Sequence, residues 1–131
     1  MSVAPIDWAS EAYQVGDELA ITLTAGRAEY RLAARNIGAT IEIQPPPVFH
    51  DLDGDGRDEA IVIAAHTNEQ WAGVYYCAYV FAIAGERPIH LERMLLGASH
   101  ELRVEAGAII RPDGSRWRWN AARRRVIKTP D

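Results

Sequence analysis

Between Val48 and Ala65 the chain gathers five carboxylates into nine positions, Asp51, Asp53, Asp55, Asp58 and Glu59, sets Gly54 and Gly56 among them, and then runs without a break into Ala60-Ile61-Val62-Ile63-Ala64-Ala65. Charges this dense need solvent or a counter-ion, while the run behind them needs burial, so the two must meet at the rim of a core. Asp51, Asp53 and Asp55 alternate, and in a tightly curled backbone they can point at one centre. Gly56 supplies a sharp turn that a β-carbon would obstruct. A donor set of carboxylate oxygens without Cys or His suits a hard cation such as Ca²⁺ rather than zinc. The alternative is an acidic, glycine-rich turn that holds no ion.

The pattern D-x-D-x-D-G-x-x-E over Asp51 to Glu59 resembles the calcium loop of the FG-GAP or VCBS repeat, the unit of integrin-type β-propellers. The resemblance implies that Asp51, Asp53 and Asp55 are side-chain ligands, that Arg57 offers its backbone carbonyl, and that Glu59 closes the loop around Ca²⁺. An EF-hand opens in the same way, but its twelfth position requires a bidentate Glu, and that position is Val62 here. A β-branched run also follows the loop where an EF-hand leaves through a helix. A propeller needs at least four four-stranded blades, and this chain of 131 residues has one such loop and no internal repeat.

The rest of the chain reads as strands. Leu19, Ile21 and Leu23 alternate with smaller or polar residues, Ala25-Gly26 turns, and Ala28, Tyr30 and Leu32 alternate in turn, which predicts a hairpin. Ile41 and Ile43 mark a strand that Pro45-Pro46-Pro47 is expected to end, since proline cannot donate to a ladder. Ala60–Ala65 and Val74–Ala84 are continuously apolar, as in central strands covered on both faces. Residues 88–96 allow helix or strand, with the flanking turns favouring strand. Leu102 to Ile110 predicts a hairpin about Ala106-Gly107, Pro112-Asp113-Gly114 a turn, and Trp117, Trp119 and Val126 to Lys128 closing strands. Residues 1–18 read as an irregular arm pinned by Trp8 and Tyr13, with a turn at Gly16-Asp17. The expectation is one all-β domain over 1–131, mainly antiparallel hairpins resembling part of a propeller blade arrangement, with little or no helix and a metal loop at 51–59.

Composition narrows the function. No apolar run approaches a membrane span. The net charge is -4, yet Arg111, Arg116, Arg118, Arg123, Arg124, Arg125 and Lys128 crowd the C-terminal part. They alternate with Trp117 and Trp119 as the wet side of a strand would, and no recognition helix or RNP-like motif accompanies them, so nucleic acid is not the expected partner. Cys77 is the single cysteine and lies in an apolar run, which reads as core. His50, His66, His90 and His100 lack zinc-ligand spacing, Ser99-His100-Glu101 are adjacent rather than facing, and no phosphate-loop, dinucleotide or nucleophile-elbow motif occurs, so no enzyme is expected, an uncharacterised enzyme standing as an alternative.

The polar stretch His66 to Gly73 is expected to be a loop between two central strands, with Glu69, Gln70 and Trp71, together with His100, as candidate partner contacts. The order of loop, buried strand, polar loop and long aromatic strand over residues 48–110 is similar to that of small exported bacterial proteins, often lipoproteins, that carry one VCBS-like loop. That similarity implies a non-catalytic module with a structural Ca²⁺, its loops open to a protein or glycan partner. Similar periplasmic proteins include inhibitors or immunity proteins of lysozyme-like cell-wall hydrolases, which makes such a hydrolase a candidate partner. Met1-Ser2-Val3-Ala4-Pro5 lacks the charged start and apolar core of a signal peptide. The expected location is therefore periplasmic or extracellular after removal of a signal absent from this chain, with the cytoplasm as the alternative.

Overall fold

The computed structural model of the protein describes residues 6–15, 19–32, 37–85 and 87–129. It is all-β: a 3₁₀ turn at Trp8–Ser10 is followed by β1 (Ala12–Gln14), β2 (Ala20–Thr22), β3 (Arg27–Leu32), β4 (Ile37–His50), β5 (Glu59–Asn68), β6 (Trp71–Ala84), β7 (Arg87–Gly97), β8 (Arg103–Glu105), β9 (Ala108–Ile110), β10 (Arg116–Asn120) and β11 (Arg125–Lys128). Every pairing is antiparallel between strands consecutive in the chain. The sheets are β1-β2, a central meander β3-β4-β5-β6-β7, and β8-β9-β10-β11.

The continuous apolar runs in β5 and β6 follow from burial on both faces of the central sheet. On one face Ala60, Val62, Ala64, Cys77, Tyr79 and Phe81 pack with Trp8, Tyr13 and Leu23 from the N-terminal segment. On the other, Ile61, Ala78, Val80, Met94 and Leu96 pack with Ile109 and Val126 from the β8–β11 sheet, and with Leu52. The two sides of β5 thus serve different cores, as period-two alternation requires. Trp8 and Tyr13 are buried, and the Tyr13 hydroxyl donates to the Trp8 carbonyl at 2.7 Å, so the arm is anchored by these two aromatics.

Several expectations change. The arm is ordered over its described part, as a 3₁₀ turn and β1. The Ala25-Gly26 turn forms, but the expected β2–β3 hairpin shrinks to the Thr24–Arg27 bridge, because β2 pairs with β1 and β3 with β4. The triple proline does not end β4. Gln44 pairs with Ile63 and Val48 with Ile61, so β4 accommodates Pro45–Pro47 as a bulge with two extra residues, where the missing N–H groups leave no gap in the ladder. The expected loop at 66–73 is mostly strand: β5 runs to Asn68, β6 starts at Trp71, and only Glu69-Gln70 turn. Residues 88–96 are strand, within β7. The Gly16-Asp17 turn and Glu86 lie outside the described residues.

Two hairpin turns carry alanine in the left-handed region, Ala25 (φ 53) before Gly26 (φ 82) and Ala106 (φ 50) before Gly107 (φ 78). Positive φ at both central positions is the type I′ geometry that matches strand twist and that asparagine tolerates better than alanine. Ala106→Asn is accordingly expected to raise stability by about 0.5–1 kcal/mol. Urea unfolding of the two proteins checks it, and an unchanged or lowered midpoint contradicts it.

Candidate metal centre

The loop from Asp51 to Asp58 joins β4 and β5, paired neighbours in the central meander, so its ends are fixed and its interior must curl. The curl is built from the aspartates themselves. Asp51 takes the N–H of Gly54 on Oδ1 (2.8 Å) and that of Gly56 on Oδ2 (2.9 Å). Asp53 Oδ1 accepts from Asp55 N (3.1 Å), and Asp55 Oδ1 from Arg57 N (2.8 Å). Each is a short side-chain-to-backbone bond of the kind Asp favours in turns. Gly54 (φ 77) and Gly56 (φ 85) take the left-handed steps between them.

Asp51, Asp53, Asp55 and Glu59 converge: one carboxylate oxygen from each lies within 4.8 Å of the other three, an arrangement that can hold a metal ion. All four donors are hard, anionic oxygens, which fits Ca²⁺ by chemistry. Arg57 is exposed and gives its N–H to Asp55. The electrostatics differ around the ring. The Gly56 and Gly54 amides hold the Asp51 carboxyl below its ordinary range. Burial, reinforced by the neighbouring carboxylates, pushes Asp53 and Glu59 up. A divalent cation would relieve the repulsion among these charges.

Glu59 is the hinge between loop and core. It is 3 % exposed, and its Oε1 accepts from Leu52 N (2.7 Å) and Asp53 N (3.1 Å). Leu52, the only apolar residue of the loop, is buried beside Ile61 and Ile109. His50 Nε2 accepts from Gly107 N at 3.2 Å, which ties the foot of the loop to the β8–β9 turn. The sequence pattern alone does not single out Leu52 or His50. An apolar side chain in an acidic run was the available signal for Leu52, whereas His50 had none, because its partner lies 57 positions away.

The candidate partner residues are not one patch. Glu69 and Gln70 form the exposed β5–β6 turn, held by Asn68 Oδ1 accepting from Gln70 N (2.9 Å) and Gly38 O from Glu69 N (3.0 Å). The Trp71 side chain lies outside the described residues; its backbone opens β6. His100 is exposed and rests edge-on against Tyr76, five residues further along β6, roughly 17 Å from the turn at about 3.3 Å per residue. Beside Glu69 runs an open groove of about 600 Å³ bordered by Glu29, Arg31, Thr40, Thr67 and Asn68. The Glu69 carboxylate lies where a Cβ on Gly38 would stand, so a side chain at position 38 would displace this exposed carboxylate.

Of the groups considered for catalysis, Ser99 Oγ accepts from Glu101 N at 3.2 Å and His100 faces the Tyr76 ring, so the three adjacent residues form no relay. Cys77 is buried, and burial pushes its thiol up to about 11, which keeps it protonated and poorly nucleophilic. No helix among the described residues is long and apolar enough to cross a membrane. Comparison with protein-family models, with curated proteins and with solved structures finds no match to this chain.

Proposed function

We propose that this protein is a non-catalytic calcium-binding β module of an exported bacterial protein, in which Ca²⁺ is structural and the neighbouring turns meet a protein or glycan partner. One observation carries the metal reading: four carboxylates converge at the entrance to a buried central strand, and one of them, Glu59, is itself buried and bonded back to the loop. Asp51, Asp53, Asp55 and Glu59 would hold the ion by their side chains and Arg57 by its carbonyl. The bound ion would supply positive charge and fix the loop. The chain's own part is to present the oxygens, with Leu52 plugged into the core and His50 bracing the loop from below. The partner surface of this reading is the exposed Glu69-Gln70 turn and the groove beside it, whose hydroxyl, amide and carboxylate groups suit hydrogen bonding to a hydroxyl-rich or polar ligand.

An exported module works where Ca²⁺ is abundant, so a dissociation constant on the order of 10⁻⁴ M suffices. At one hundred times that concentration, binding stabilises the fold by about 2.7 kcal/mol, enough to raise the melting temperature by several degrees. Calorimetric titration of chelator-stripped protein with CaCl₂ should therefore give saturable heat, and a melt with the same salt the shift; Asp53→Ala should lose both. Neither heat nor shift in the parent protein would sink the metal reading.

A further inference from the structure

Charge is divided unevenly between the layers. Residues 101–131 carry eight Arg or Lys against four Asp or Glu, a net +4, while residues 1–100 carry six against fourteen, a net -8. Most of the positive half lies on one surface. In the β8–β11 sheet Trp117, Trp119, Ile109 and Val126 face the core. Alternation therefore puts Arg116 and Arg118 on the opposite face. Register adds Arg103, which shares Ile110 with Arg116, and Arg125, opposite Asn120. Arg123 and Arg124 extend the row through the β10–β11 turn, and all six are exposed.

Little answers this charge from within the molecule. Arg103 meets Glu105 at 3.0 Å and Arg125 meets Glu92 at 3.2 Å, and Arg118 donates to the Ala106 carbonyl at 2.8 Å. Arg116, Arg123 and Arg124 form no ion pair with a described residue within 4.0 Å. Arg124 also sits at φ 54, in a left-handed conformation that glycine or asparagine would take at lower cost. A strained arginine where the β10–β11 turn enters β11, between Arg123 and Arg125, points to a role for its charge rather than for its backbone.

From this face we infer a docking surface for a linear anionic polysaccharide, a chain of sulfate or carboxylate groups bound along β10 and the β10–β11 turn. Guanidinium groups match such oxyanions bidentately. The face favours this partner over other polyanions. Both tryptophans of β10 belong to the core side, so no aromatic platform is offered to stacked bases. Among the described residues no α-helix is present to enter a duplex groove. The arginine row has no exposed large apolar residue to anchor a protein or enter a lipid surface. The inference rests on this sheet alone and stands whether or not the acidic loop binds an ion.

The probe is a fluorescently labelled heparin-type oligosaccharide of about twelve sugars, titrated with the full chain over a salt series from about 0.02 M to 0.3 M, because exposed ion pairing is screened over this range. Binding is expected at low salt and should weaken steadily as salt rises. The double variant Arg116→Gln, Arg124→Gln should lose about fivefold in affinity at the low-salt end, while Arg27→Gln, Arg87→Gln, with the same net charge, stays within about twofold of the parent. Arg124→Gly alone should bind about twofold more weakly yet melt at a higher temperature, separating charge from folding. The inference is overturned if the parent does not bind at low salt, if both double variants lose affinity equally, or if a single-stranded oligonucleotide of matched charge binds more tightly than the oligosaccharide.

Discussion

Glu59→Ala is expected to cost about 2–4 kcal/mol of stability in the ion-free protein, because two backbone donors lose their common acceptor at a buried position and each unmade bond there costs about 1–3 kcal/mol. The donors are Leu52 N, at 2.7 Å, and Asp53 N, at 3.1 Å from Oε1. Leu52 itself is buried, so its amide has little access to replacement water. Glu59→Gln separates this structural duty from metal binding. Its amide oxygen can accept both bonds in the same volume, so ion-free stability should stay within about 1 kcal/mol of the parent. A neutral oxygen is a weaker ligand for a hard dication, however, and the Ca²⁺-dependent rise in melting temperature should largely vanish. Melts in chelator and in CaCl₂ read both effects. An alanine variant as stable as the parent would show that Glu59 does not hold the loop; a glutamine variant that responds to Ca²⁺ as fully as the parent would remove Glu59 from the ligand set.

Acidification from about pH 7 to about pH 5 is expected to remove about 2 kcal/mol through His66 alone. This residue is 2 % exposed and stacks on Tyr75 with ring centroids 5.0 Å apart. Its Nε2 lies 3.0 Å from the Tyr79 hydroxyl, which in turn donates to the Gln14 carbonyl at 2.9 Å. With the Tyr79 proton committed to Gln14, Nε2 carries the ring proton, and Nδ1 is buried without a hydrogen-bond partner among the described residues. Burial first, and the Arg93 charge second, lower its pKa from 6.5 to about 4. Between those values the unfolded chain binds a proton that the folded protein refuses, so stability is full above the unfolded pKa and falls as pH drops toward the folded one. His90, also lowered by burial, acts in the same direction, while the raised Asp53 and Glu59 act against it. The His66 share is thus the difference between the parent and His66→Phe in urea unfolding at the two pH values. Equal pH slopes for the two proteins would contradict it.

How much of this could be read from the chain depended on the range of the interactions. The acidic ring was legible because its bonds are local, each aspartate reaching two to five residues ahead and Glu59 reaching back six or seven. The two-sided burial of β5 and β6 was legible from their unbroken apolar runs. His66 reads as a loop residue because a polar side chain counts toward turns locally, while the Tyr79 hydroxyl it meets is brought to the same face only by β5–β6 pairing, which sets Tyr75 opposite His66 and Tyr79 opposite Val62. The prolines of β4 were misread for the same reason: a bulge is a relation between two strands, and one strand does not display it. The N-terminal arm looked irregular because β1 has three residues, too few for periodicity to register, and acquires its identity from β2.

By itself, then, the sequence determined the all-β class, the covered central strands and an acidic loop built to curl around one point, since all three follow from neighbours along the chain. Tertiary structure alone decided which residues share a face. It seated Leu52 and Glu59 in the core, parted the Glu69-Gln70 turn from His100, and aligned the arginines of β8, β10 and β11 into one surface. Those juxtapositions come from strand register, which depends on residues far apart in the chain and on the burial of whole sheets against one another.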